Sequence, residues 1–455
     1  MKYELSIEAA AKILSVSESR ISQLISNGSL DTTTIRGNRR ISKESVEAYA
    51  SQRTGRGRKP IAYKASTKHF TLMNASHEVL ELIYDPTSDL PFIGKHVFDQ
   101  QRAPLSVLTS AGSCKRRELN EWWEHRSIPR SRPGLEKKLL DLGLENPATL
   151  PLRNLGLSLS DCYWLRPQDH ADISWDQINY FQNNYDGASD ENWDDWLANV
   201  GIDSPDNTSE GELPKKWVIK NGKRVLIKGF RTNDQLPFNE VVATFLHKRL
   251  LSPSDYVTYE IVNTKNGVAC ACENFLSKNE EYIPAVYIKR ILGSTRGNST
   301  YERLCRFAGK LGMDEKTVRQ TFGKMIICDF ILANNDRHWR NFGFIRNVET
   351  LEMRPAPLFD SGNCLWCRKA DSEIALNDWS FLSRPFHTCP EQQLSLAEDF
   401  DWFNESTLDS FTDQALEILS QSSYVTENKR LTFIEEGLRK QITTACAALS
   451  VLRYR

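Results

Sequence analysis

The sequence predicts an α+β chain of two unlike modules, a small winged helix–turn–helix head and a larger two-lobed body. Three observations carry that prediction. Positive charge gathers at the start: residues 1–60 hold eleven Lys/Arg against six Asp/Glu, a net +5, and the remainder carries −6. From residue 207 short β-rich runs appear, two of them joined by Asn221-Gly222. Beyond residue 275 apolar residues recur at helical spacing, in "MDEKTVRQTFGKMIICDFILAN" and again near the C-terminus.

A length of 455 residues suits two to four domains, and 40% hydrophobic with 26% charged residues is ordinary for a soluble globular protein. No apolar run approaches the roughly 18 residues that span a bilayer, and the first residues lack a secretion signal's pattern. The expectation is a cytoplasmic protein with no membrane partner. Ten cysteines in so long a chain are expected as thiols. The pairs Cys270/Cys272 and Cys364/Cys367 are read as packed core residues rather than a zinc site.

The head is assigned to residues 1–52. "SIEAAAKILSVSESRISQLISNGSL" gives two short helices, with Ile7, Ala10, Ala11 and Leu14 on one apolar face and Ile21, Leu24 and Ile25 on the next. Ser17 is the expected N-cap and Gly28 the stop. The second helix would expose Ser19, Arg20 and Gln23 to a DNA groove. A strand, a turn at Gly37-Asn38, a basic strand and a third helix follow. This segment resembles the excisionase and MerR type of winged helix–turn–helix domain, which implies phosphate contacts from Arg36, Arg39 and Arg40. The plainer reading is a helical protein-interaction domain with a solvated basic face. Charge, caps and wing together favour DNA.

Residues 53–68, with "RTGRGRKP", read as a basic linker. Residues 69–275 are assigned to a first lobe with an accessory region and a nucleotide loop. The tryptophans of its early part, Trp122, Trp123, Trp164, Trp175, Trp193 and Trp196, are expected to pack a core.

"NTSEGELPKKWVIKNGKRVLIKGF" then offers a polar turn, a hairpin and Lys228 closing the second strand. Gly211 would let backbone amides approach a ligand closely. Pro237 is expected to open a helix carrying Glu240 in its first turn. Polar loop, hairpin, strand lysine and helix glutamate, in this order, resemble the upper half of a protein-kinase nucleotide site. There the lysine holds phosphates and the glutamate orients it. "NGVACACENFL" reads as a strand entering a linker, the place where Glu273 to Phe275 would meet adenine.

Residues 276–455 are assigned to a helical lobe. "CDFILANNDRHWRNFGFIRN" crowds Asn334, Asn335, Asp336, Arg337, His338, Arg340 and Asn341 between two core-like segments. Buried polar groups are costly unless satisfied, so such a cluster has a task or a tight network. Asp336 and Asn341 stand five apart, as the catalytic Asp and the metal-holding Asn of kinases do. "APLFDSGN" then places Asp360 where a kinase's second metal carboxylate lies. His338 is read as holding the loop, and Arg337 and Arg340 as either phosphate ligands or partners of acids.

"NNDRHWRNFGF", "APLFDSG" and the hairpin with its polar turn resemble the HipA-like serine/threonine kinase family, whose Asp-x-His-x-x-Asn-aromatic pattern matches Asp336, His338, Asn341 and Phe342. The resemblance implies a bilobal protein-kinase-like fold, ATP and Mg²⁺, and phosphorylation of protein hydroxyls. Asp336 would be the catalytic base beside Lys228 and Asn341, with Asn341 and Asp360 on Mg²⁺. Ser209, Gly211, Lys228, Glu240, Glu273 and Phe275 would hold nucleotide. In toxin members the substrate is an aminoacyl-tRNA synthetase, a translation factor, and a DNA-binding antitoxin restrains the kinase. An antitoxin or self-association is therefore an expected partner. Some members phosphorylate their own nucleotide-loop serines, to which Thr208 and Ser209 are the nearest hydroxyls. The chain lacks Gly-x-Gly-x-x-Gly and His-Arg-Asp, as the family does, and its fused head is unusual there. The alternatives are a DNA-binding transcriptional regulator with a nucleotide-sensing pseudokinase body, and a kinase acting on a small molecule or lipid.

Overall fold

The computed structural model describes residues 3–453 apart from 15, 27, 36–37, 53–68, 133–134, 186, 189–203, 209–212, 231–232, 265–266, 295–298 and 428–429. The chain divides into two compact units, residues 1–57 and 58–455.

In the first unit, helices Ile7–Leu14 and Glu18–Ser26 pack with a third, Lys43–Gln52, and a small antiparallel sheet. The Ser17 hydroxyl caps the second helix by accepting the Arg20 amide at 3.3 Å. Gly28 ends it in the left-handed region, φ +76°. Ala10, Ala11, Leu14, Ile21, Leu24, Leu30, Ile41 and Val46 form the core, which explains the apolar spacing of both helices. Strands Thr32–Ile35 and Asn38–Ser42 make the wing, and Tyr3–Leu5 adds a third strand beside the latter. Three residues are too few to show a period, so that strand had no sequence signal.

The second unit begins with a four-stranded antiparallel sheet ordered Phe92–Val97, His77–Tyr84, His69–Asn74, Tyr163–Pro167. The pairing of the last two joins residues about ninety positions apart, such as Asn74 and Tyr163. Trp122, Trp123, Trp164 and Trp175 are buried in its cores, as expected of packing residues. Trp193 and Trp196 lie outside the described residues.

A second four-stranded sheet follows, ordered Tyr259–Thr264, Gly267–Glu273, Lys223–Lys228, Lys215–Lys220, with helix Gln235–Leu250 packed on its first two strands. The helical lobe is built on Thr300–Lys310, Glu315–Ile331, Phe411–Leu419 and Leu431–Leu452. Val318, Phe322, Met325, Ile326 and Phe330 of the Glu315–Ile331 helix are all buried.

A small three-stranded sheet is formed by Glu280–Pro284, Gly343–Asn347 and Met353–Pro355. A Cβ on Gly343 would stand 2.2 Å from the Ile283 carbonyl oxygen, so the backbones approach only because this residue is glycine. A buried network ties this sheet to the first four-stranded sheet, the accessory sheet, through the latter's strands His69–Asn74 and Tyr163–Pro167. Arg346 bonds Glu281 (2.6 Å), the Tyr163 hydroxyl (2.9 Å) and the Gln101 carbonyl (2.7 Å), and Asn74 donates to Glu281 at 2.8 Å. Cys270, Cys272, Cys364 and Cys367 are buried free thiols, and burial pushes Cys272 and Cys367 up to about 12.

Candidate active site

The hairpin is made by Asn221 and Gly222, both at positive φ (+51° and +78°), the signature of a type I′ turn. It sets Lys215 opposite Lys228 and leaves Lys228 at the sheet's inner end, 4% exposed. Ahead of it, the Thr208 hydroxyl bonds the Leu157 and Pro205 carbonyls, and Asp206 accepts the Trp217 amide at 2.7 Å. Ser209 and Gly211 lie outside the described residues. The following helix starts at Gln235, two residues before Pro237, because proline is tolerated anywhere in a first turn. Glu240 therefore sits in the second turn rather than the first.

The Lys228 amine meets Glu240 Oε1 at 2.5 Å and also bonds the Asp360 carboxylate. Burial opposes the charge on Lys228, but Asp360 and Glu240 outweigh it and raise its pKa. Burial would likewise raise Asp360, yet Lys228 and then Lys215 hold it below the ordinary carboxylate range. Glu240 is moved the other way, by burial and by the Asp360 charge, with Lys228 only partly offsetting them. The Tyr259 hydroxyl accepts the Asp360 amide at 3.3 Å, and Lys228 lies 5.3 Å from that ring's centre. Asn239 holds the Gly362 and Cys364 carbonyls (2.8 and 2.9 Å), and Glu240 accepts the Ser361 amide at 3.0 Å. Asp360-Ser361-Gly362 is thus fastened to the helix that carries Glu240.

The polar loop follows the Glu315–Ile331 helix. Asp336 is partly exposed; Asn363 donates to it at 2.8 Å and Arg384 pairs with it at 3.6 Å. Asn341 donates to the Asp336 carbonyl at 3.2 Å, which leaves its amide oxygen as the remaining acceptor. The His338 ring nitrogen Nδ1 accepts the Arg340 amide at 3.3 Å, in keeping with a role in holding the loop. Arg337 is wholly buried and bonds Asp329 in bidentate fashion, which decides between phosphate and acid in favour of the acid.

Lys228, Asn341, Asp360, His338, Glu273 and Phe275 line one cavity of about 710 Å³, which continues along the accessory region. Asp336 is not in that wall but on the same loop. The Glu273 carboxylate turns to Lys223 at 2.6 Å, and Phe275 packs 5.5 Å from Phe359. Hard oxygen donors, one amide and one carboxylate, face a single cavity at Asn341 and Asp360, a set that fits Mg²⁺. No group of three or more His, Cys, Asp and Glu able to hold a metal occurs among the described residues. An ion here would draw its remaining ligands from phosphate and water, as Mg²⁺ commonly does.

In the head, Gln23 and Arg39 are exposed, and Arg20 and Arg40 are half-buried. Arg20 bonds Gln23 at 3.1 Å. Arg36 lies outside the described residues. Sequence reasoning missed Tyr259, Asn239, Asn363, Arg384 and Asp329. Only Asp329 left a trace, as a lone acid inside the apolar run "IICDFI".

A family model described as the HipA-like C-terminal domain matches residues 194–424, just over half of the chain. The chain belongs to the HipA-like family. A helix-turn-helix domain model matches residues 4–54. Among curated relatives, the serine/threonine-protein kinase CtkA of Helicobacter pylori is 28% identical over 145 residues, 27% of this chain and 45% of that protein's length. Two solved structures are similar. One is the H. pylori proinflammatory kinase CtkA (TM-score 0.38, 19% identity, 52% of this chain and 94% of that one). The other is the Shewanella oneidensis MR-1 toxin–antitoxin complex of HipA, HipB and operator DNA (TM-score 0.48, 14% identity, 83% and 96%). A HipA-type kinase fold fused to a helix–turn–helix domain describes this member of the family. No helix among the described residues is long and apolar enough to cross a membrane.

Proposed function

We propose that this chain is an ATP-dependent, Mg²⁺-requiring serine/threonine protein kinase with its own DNA-binding head. The observation that carries the reading is one ammonium, Lys228, joining Glu240 to Asp360 at the wall of a cavity that also holds Asn341. Lys228 would bind phosphate oxygens, held in place by Glu240. Asn341 and Asp360 would hold Mg²⁺, which would supply neutralisation of the charge on the transferring group. Asp336 would accept the proton of the attacking hydroxyl, oriented by Asn363. The Glu273–Phe275 linker, with Ser209 and Gly211, would complete the nucleotide contacts in this reading.

The acceptor is a protein hydroxyl, and an aminoacyl-tRNA synthetase or another translation factor is the candidate substrate by analogy with toxin members of the family. A cytoplasmic growth-regulating role, with an antitoxin or a second copy as partner, follows the same analogy. Arg20, Gln23, Arg36, Arg39 and Arg40 would contact DNA.

A second reading, a nucleotide-sensing regulator, draws on the engagement of Asp336 by Arg384 and Asn363. Incubation with γ-labelled ATP and Mg²⁺ separates the two. Label on the protein or on lysate proteins with wild type, and none with Asp336→Ala, supports the kinase. No label from wild type that still binds ATP supports the sensor.

A further inference from the structure

We infer that Arg337 is the positioning residue that fixes the distance between the two proposed metal ligands, Asn341 and Asp360, and hence the site's affinity for Mg²⁺ bound with nucleotide. The inference rests on the kinase reading and deepens it.

A guanidinium carries five N–H donors in a rigid fork. Here each finds an acceptor. Nε and Nη2 bond the two Asp329 oxygens at 2.8 and 2.9 Å. Nη1 bonds the Asn341 carbonyl at 3.0 Å and the Phe359 carbonyl at 2.5 Å. Nη2 also bonds the Ser361 hydroxyl at 2.9 Å. Asn341 is one proposed ligand, and Phe359 and Ser361 flank the other. One planar group therefore spans both ligand-bearing segments, which lie about twenty residues apart in sequence.

The anchor for this fork is the helical core. Asp329 belongs to the Glu315–Ile331 helix, and its side chain is 4% exposed against 0% for Arg337. Asn334 donates to Asp329 at 2.8 Å and accepts the Asp336 amide at 3.0 Å. The same buried pair thus sets the backbone at Asp336, Asn341 and Asp360 from one point on a rigid helix. No phosphate can reach this guanidinium, so its contribution passes through the groups that it holds. Lysine would keep the charge but has no planar fork with which to reach all four partners.

The test measures binding rather than turnover. A fluorescent, non-hydrolysable ATP analogue is titrated into the full chain in EDTA and then across Mg²⁺ concentrations, with thermal unfolding recorded for each variant. Arg337→Lys is expected to bind the analogue in EDTA within about twofold of wild type and to need at least tenfold more Mg²⁺ at the midpoint. Breaking one half of a buried pair can unfold a protein, whereas replacing both charges by apolar groups is often tolerated. The double variant Asp329→Leu/Arg337→Met is therefore measured beside it, with the same Mg²⁺ shift expected. Ser361→Ala, which leaves the ion pair intact, is expected to shift the midpoint in the same direction by a few-fold.

A wild-type Mg²⁺ midpoint in any folded variant lacking Arg337 would overturn the inference. A change of stability alone would also do so, since a structural role predicts just that. Loss of Mg²⁺-dependent binding in the wild-type chain itself would remove the kinase reading and the inference with it.

Discussion

The head and the body use charge in opposite ways. In the head, Arg39 is exposed and Arg20 and Arg40 are half-buried, so their interactions are additive and screened by salt. In the body, Lys228, Glu240, Asp329 and Arg337 are almost fully buried, and each is paired. Removing one partner of a buried pair is costly, because it strands the other charge, whereas replacing both by apolar groups is often tolerated. A surface built of many weak contacts can be retuned one residue at a time, whereas a cluster of desolvated ions works entire or fails.

The largest expected effect breaks the body's side of that contrast. Asp336→Asn should lower kcat for label transfer by about 10²–10⁴-fold, the usual worth of a positioned base, with ATP binding nearly unchanged. Filter-binding kinetics would show it. A kcat within threefold of wild type would remove Asp336 from the mechanism.

Next comes Lys228→Met, which leaves Glu240 and Asp360 without their shared cation. Urea unfolding should report a loss of about 3–5 kcal/mol, the range for one missing partner of a buried pair. Lys12→Ala in the head removes an exposed partner of Glu8 and should leave the urea midpoint unmoved. Equal effects from the two would erase the contrast.

The head's own signature is a salt slope. If Arg39 and Arg40 meet phosphates, the double alanine variant should flatten log K against log salt by about 0.9 for each phosphate left unneutralised, whatever the duplex sequence. A slope unchanged from wild type would take the wing off the DNA.

The effect that is smallest at neutral pH concerns a buried group with no charged partner. His247 is 3% exposed, and neither ring nitrogen has a hydrogen-bond partner among the described residues. Burial, with Arg337 nearby, lowers it to about 3. The unfolded chain takes up this proton near pH 6.5, so between the two values it binds more protons than the folded one. Stability is then full above about pH 6.5 and falls by about 1.4 kcal/mol per pH unit between there and about pH 3. His247→Phe should have a shallower acid limb in urea titrations by one proton.

What could be read from sequence follows the same division. Head and hairpin were legible because local rules write them: Ser17 and Gly28 mark helix ends, and Asn221-Gly222 takes a turn that few other pairs accept. The family pattern at Asp336, His338 and Asn341 was legible as spacing. Asp329 with Arg337 was not, because no periodicity says which acid in an apolar helix turns toward a loop. Asn363 and Arg384 reach Asp336 only through tertiary folding, and the pairing of Asn74 with Tyr163 spans a distance that local propensity does not see. The start of the Gln235–Leu250 helix was missed by two residues, since proline marks a first turn without fixing its first residue.

The Glu281–Arg346 network sets a limit on how far this protein can be cut down. Asn74, Gln101 and Tyr163 all come from the accessory region and supply partners to that buried pair. A chain shortened to begin after the accessory strands would retain both ions while losing their neutral companions, on the paired strands Glu280–Pro284 and Gly343–Asn347. The accessory strands therefore help to satisfy a buried ion pair outside their own sheet, and cutting them away would leave that pair short of hydrogen-bond partners.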